Sequence, residues 1–131
     1  MNVFVTTKNN LIHITHLLLA ELHVKVNVSS IASYVDTHPQ YPSLQTISDC
    51  LHNFKVPNRF YHLEKGDYWR VELPFPFITH SLKNKDCYIL VQETDDLDLS
   101  LLENEEQILM SKQEFFNTWT GTFLVAEPDE H

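Results

Sequence analysis

The sequence predicts an α+β domain, with helices first and strands after. Three observations carry that reading. Apolar residues recur at helical spacing through the first half, as far as Phe54. After Pro57 the period changes, and short β-rich runs bounded by turn residues follow. The 131 residues, 43% hydrophobic and 21% charged, suit one compact core and exclude a disordered chain. A single domain over residues 1–131 is expected, with a helical part over about 9–55 and a sheet part over about 57–127.

Leu11, Ile14, Leu18 and Leu22 share one helix face and predict a helix from Asn10 to Leu22. Ser29 or Ser30 is the expected N-cap of a second helix that turns Ile31, Tyr34 and Val35 inward. It ends at His38-Pro39, because a residue before proline avoids the helical region. Gln40-Tyr41-Pro42 reads as a turn. Ser43 then caps a third helix bearing Leu44, Ile47, Leu51 and Phe54.

Beyond Pro57, Arg59 to Leu63 reads as a strand and Gly66 to Trp69 as a turn with aromatic cover. Phe75 to Ser81 and Cys87 to Glu93 read as two strands joined by a polar turn. Pro74 and Pro76 set the first of these at a sheet margin. Residues 93–106 hold seven carboxylates and no Lys or Arg, the pattern of a solvated hairpin or loop. Ile108 to Met110 is a short strand. Ser111 caps a helix with Phe115, Phe116 and Trp119, Gly121 ends it, and Thr122 to Ala126 form the last strand. Glu127 to His131 read as a frayed end or the start of a linker.

Composition excludes several function classes. Nine basic against 18 acidic residues give a net charge of −9, opposed to a nucleic-acid surface. With two glycines in all, Gly66 and Gly121, the chain has no Gly-rich phosphate loop. No apolar run approaches the roughly 20 residues of a membrane span, and no secretory signal is visible. A cytoplasmic location without direct membrane insertion is expected, with Cys50 and Cys87 reduced.

The chemical candidates are few. Of eight histidines, His13 with His16 and Cys50 with His52 come nearest to metal-ligand spacing, and neither pair suffices for zinc. No metal and no cofactor are expected. Cys50 falls on the apolar side of its helix and reads as a buried, inert thiol. Cys87 stands beside Lys83 and Lys85, which favour a thiolate, so it is the better reactive candidate. No GxSxG, HExxH or EF-hand pattern occurs. The acidic segment offers no apolar setting that would raise a carboxyl pKa for acid–base work.

One stretch is more specific. His38-Pro39-Gln40-Tyr41-Pro42-Ser43-Leu44, followed by Ile47-Ser48-Asp49 and Leu51, resembles a signature of double-glycine-leader peptidase-like domains. Those are the N-terminal cysteine-peptidase domains of bacteriocin-exporting ABC transporters. The H-P-x-Y-P-S-L form is similar to that of a bacterial subgroup fused to vitamin K epoxide reductase-like membrane domains and thioredoxin-like domains. Leu73 to Ile78, Cys87 to Val91, and Ser111 to Gly121 resemble the family's later strands and closing helix, so the likeness runs from about Asn10 to Ala126. It implies a papain-like fold, a helical part packed on an antiparallel sheet with a cleft between them.

The family's chemistry uses a Gln, a Cys opening the first long helix, a His opening a central strand, and an Asp that orients the His. Here no Cys precedes Cys50 and no Gln precedes Gln40. Asn9 or Asn10 stands where the nucleophile belongs. Cys87 takes the His position, and Glu103, within Leu101 to Asn104, falls near the Asp position. The resemblance therefore implies a degenerate domain with Asn10, Cys87 and Glu103 at the altered positions. Such a domain would recognise a peptide or leader segment, or a fused or associated membrane protein. Tyr41, Tyr68, Trp69, Phe75, Phe77 and His80 are the expected peptide-binding residues, each equally readable as core. The acidic segment would attract a basic peptide or, more simply, provide solubility. The competing expectation is an active cysteine peptidase or redox thiol that uses Cys87 or Cys50 with His80 as partner. A third is a structural appendage of a membrane oxidoreductase.

Overall fold

The computed structural model describes residues 7–84 and 86–127. Three helices come first: α1 (Thr7–Glu21), α2 (Val28–Asp36) and α3 (Leu44–Asn53). Strands β1 (Asn58–His62), β2 (Phe77–His80), β3 (Tyr88–Glu93), β4 (Asp98–Glu103) and β5 (Glu106–Ser111) follow. Helix α4 (Lys112–Thr118) and strand β6 (Thr122–Ala126) close the chain. The six strands form one antiparallel sheet in the order β1-β6-β2-β3-β4-β5. Lys85 and the segments 1–6 and 128–131 lie outside the described residues, and so does most of the expected frayed end.

Strand alternation divides the apolar side chains between two clusters. Ile78, Tyr88, Leu90 and Leu124 face the helices and pack with Leu11, Ile14, Leu18, Ile31, Ile47 and Leu51. Phe77, Ile89, Val91, Leu99, Leu101 and Phe123 face the other way, against Phe115, Phe116, Trp119, Tyr68 and Leu73. The sheet is thus covered on both faces, by α1–α3 on one and by α4 with the aromatic loop 63–76 on the other.

The N-cap of α2 is Asn27, not Ser29 or Ser30: its side chain accepts from Ser30 N at 2.8 Å, which begins the helix earlier. Ser43 and Ser111 cap α3 and α4 as expected. The larger correction concerns residues 93–106. They lie in antiparallel hairpins, one of the two expected forms, but are not solvated throughout: Leu99 and Leu101 follow Asp98 and Ser100 at a strand period and are buried. The acidic side chains of Asp95, Asp96 and Glu105 occupy turns, whereas Asp98–Glu103 is an inner strand between β3 and β5. No described helix is long and apolar enough to cross a membrane.

Candidate functional site

Asn10, Cys87 and Glu103, the positions to which the sequence resemblance points, lie where α1, β3 and the β4–β5 turn come together. Asn10 has no exposed surface. Its Oδ1 accepts from Tyr88 N at 2.6 Å, and its Nδ2 donates to Tyr88 O at 3.0 Å and to Asn104 Oδ1 at 2.9 Å. The strand register explains this bonding. Ser81 N donates to Cys87 O, so the alternation of antiparallel pairing turns the backbone groups of Tyr88 away from β2 and towards β4. Extending the Leu90–Leu102 register places Asn104 opposite Tyr88. Asn104, at φ 58°, has already left the strand to form the β4–β5 turn. The Asn10 carboxamide occupies the missing rung and satisfies both Tyr88 groups. His13, one turn along α1, donates from Nε2 to Asn104 O at 2.8 Å and fixes the turn from the same helix.

Cys87 precedes this joint and is buried. Burial raises its pKa, and the Glu103 and Asp86 carboxylates raise it further. The expected help from lysine is not realised, because Lys83 instead pairs with Glu106 at 3.8 Å. Lys85 lies outside the described residues. Glu103 is also buried and accepts from Ser81 Oγ at 2.6 Å. Cys50 is fully buried on α3, and its thiol is pushed up to about 12 by desolvation. Both cysteines are free. Among the described residues, neither is hydrogen-bonded to a histidine, and no group of three His, Cys, Asp or Glu side chains could hold a metal.

The six aromatic and histidine candidates separate. Tyr41 packs against the helical cluster, and the half-buried His80 lies 5.1 Å from the Tyr88 ring, its pKa lowered by burial. On the far face, Phe77 is entirely enclosed, which makes it core and leaves it no surface for a ligand. Tyr68, Trp69 and Phe75 line one cavity of about 310 Å³ together with Glu93, Asp96 and Lys112. Tyr68 is anchored there by its hydroxyl, which donates to Trp119 O at 3.0 Å.

The loop carrying the H-P-x-Y-P-S-L sequence is held by its own histidine. Gln40 N donates to His38 Nδ1 at 3.0 Å, which fixes the proton on Nε2, and Nε2 donates to Asp49 Oδ2 at 2.7 Å. A His–Asp pair engaged at both ring nitrogens is an anchor for the loop, with no free nitrogen to act as a base.

The Peptidase C39 family matches residues 8–131, nearly the whole chain. The chain belongs to the Peptidase C39 family. The fold of this C39 domain is similar to that of a double glycine motif protease from an AMS/PCAT transporter, solved in complex with a leader peptide. That match has a TM-score of 0.77 at 14% identity and covers 98% of this chain and 89% of the other. It is also similar to the peptidase domain of Streptococcus ComA, a bi-functional ABC transporter involved in a quorum-sensing pathway (TM-score 0.73, 19% identity, 96% of each chain). The Streptococcus mutans ComA peptidase domain in complex with a small-molecule inhibitor matches at a TM-score of 0.63 and 18% identity, over 95% of this chain and 96% of that one. No curated protein matches the chain. At these identities the solved structures establish a shared papain-like fold. Sequence resemblance alone could find positions 10, 87 and 103. It could not find the ladder role of Asn10, which depends on where β4 stops.

Proposed function

We propose that this C39 domain recognises a peptide without hydrolysing it. The carrying observation is Asn10. A carboxamide has no nucleophilic atom comparable to a thiolate, and this one is buried and engaged by Tyr88 and Asn104. Cys87 at the position resembling the family's His cannot accept a proton from a nucleophile as imidazole does. The raised pKa of both thiols and the absence of a histidine bonded to either, among the described residues, weigh against the active-peptidase and redox-thiol readings. The half-buried His80 packs on Tyr88 instead.

The ligand is a leader segment of a peptide handled by a membrane exporter. A bound leader peptide in one structural neighbour supports that class of ligand. Recognition would use apolar pockets together with backbone hydrogen bonds. The H-P-x-Y-P-S-L loop favours a second setting, beside a vitamin K epoxide reductase-like membrane protein that the domain docks against.

A synthetic double-glycine leader peptide tests the reading. Calorimetric titration is expected to give saturable binding, and mass spectrometry of the same mixture is expected to find the peptide intact. Cleavage behind the paired glycines, abolished by blocking either thiol, would overturn it.

A further inference from the structure

The cavity on the far face of the sheet lies away from the Asn10 joint. Tyr68 and Phe116 are buried at its base, and Trp69 and Phe75 stand around it. Trp69 is 59% exposed, with its ring edge-on to Phe116 at 5.0 Å. Glu72, Glu93 and Asp96 form an acidic rim.

One cation is already part of this wall. The Lys112 ammonium sits 5.8 Å from the centre of the Phe75 ring and 2.6 Å from Glu93 Oε2. Its side chain is only 14% exposed. Aromatic face plus carboxylate is therefore a combination that this cavity uses to hold a positive charge. The same combination recurs beside it. Trp69 presents an open indole, and neither Glu72 nor Asp96 has an ion-pair partner among the described residues. An apolar guest would strip water from those carboxylates without replacing its bonds. A guanidinium or ammonium group would compensate them while its methylene stem covered the aromatic wall. A cavity of about 310 Å³ suits one long side chain.

We propose that this cavity receives an arginine or lysine side chain of a bound basic peptide segment, held by Trp69, Glu72 and Asp96 beside the resident Lys112. The site goes beyond the leader reading, since it uses the opposite face of the sheet and does not require the cleft to hold anything.

The probe is the blocked peptide acetyl-Gly-Arg-Arg-Arg-Gly-amide, with a citrulline counterpart that keeps the shape and loses the charge. It contains no paired glycines, so failure of a leader peptide to bind leaves its result untouched. The readout is the Trp69 indole N–H resonance in the full chain, with the buried Trp119 as internal reference. A saturable shift of Trp69 with the arginine peptide alone is expected. Trp69→Ala, followed by calorimetric titration because it lacks the reporting indole, and the pair Glu72→Gln/Asp96→Asn should each weaken binding at least about fivefold. Lys112→Gln should tighten it, whereas Lys83→Gln, the same charge change elsewhere, should not. Should Trp69→Ala fail to fold, the carboxamide pair decides. Equal binding of the citrulline peptide, an unmoved Trp69, or equal weakening by the distant pair Glu21→Gln/Glu105→Gln would overturn the proposal.

Discussion

His38 donates from Nε2 to Asp49 Oδ2 over 2.7 Å while its Nδ1 accepts the Gln40 N–H, so one ring ties the 38–43 loop to α3. The ring is nearly buried, at 6% side-chain exposure, whereas Asp49 is 36% exposed. His38→Ala removes the acceptor of one backbone donor and the donor of one carboxylate. A loss of about 1–3 kcal/mol is expected from urea denaturation.

Asp49 links the same contact to pH. Its pKa is lowered, chiefly by the hydrogen bond from His38. The folded value lies below the unfolded one. The stabilisation is therefore complete above the ordinary carboxylate range and disappears as pH falls through the depressed folded value. Stability measured against pH should show Asp49→Asn weaker than wild type near pH 6, with the two curves converging in acid. A constant offset down to the lowest pH would contradict the linkage.

Asn10→Ala leaves the Tyr88 N–H and C=O buried without the rung that satisfies them. The expected cost is about 2–4 kcal/mol. Asn10→Asp keeps the acceptor for Tyr88 N but removes the donor, and should also destabilise. Amide exchange at Tyr88 should accelerate in both variants more than at Leu90.

Thiol chemistry should be slow. Burial pushes Cys50 up to about 12 and raises Cys87 above the ordinary thiol value, with Glu103 and Asp86 adding to the latter. Labelling of either at neutral pH should lag far behind free cysteine. Glu103→Gln removes one of the charges that hold Cys87 protonated, so its labelling rate should rise while that of Cys50 stays put.

Gly121 stands at φ 87°, and a Cβ there would collide with Leu63 O and the Tyr68 hydroxyl. Neither the turn into β6 nor the anchored Tyr68 ring can yield cheaply. Gly121→Ala should cost about 2–4 kcal/mol by thermal or chemical denaturation, more than an ordinary left-handed glycine replacement.

Much of this fold is legible residue by residue. Ser43 and Ser111 announce their helices, and α2 stops at Asp36, just short of His38-Pro39, because caps and backbone breakers act locally. Gly121 does not end α4 as expected: Trp119 is the C-cap, and Gly121 serves the turn into β6. β4 is hidden by its surroundings. The acidic turns on either side of Leu99 and Leu101 dominate a composition reading, and a four-residue alternation is easily lost in them. Positions 10, 87 and 103 emerge from family likeness. Their physical state does not, since burial of Glu103 and the Tyr88 rung are set by where a strand ends rather than by nearby sequence. Trp69 and Phe75 are legible as aromatics. Their acidic rim comes from loops that only folding brings together.

The left-handed turn at Asn104 makes position 10 a keystone. A cysteine placed there would first pull the carboxamide out of the arch between helix and sheet. A second change, at Tyr88 or in the turn itself, would have to close the gap before any reactivity gained there could be selected. The masonry of this joint thus bars a one-step route to a thiol at its centre.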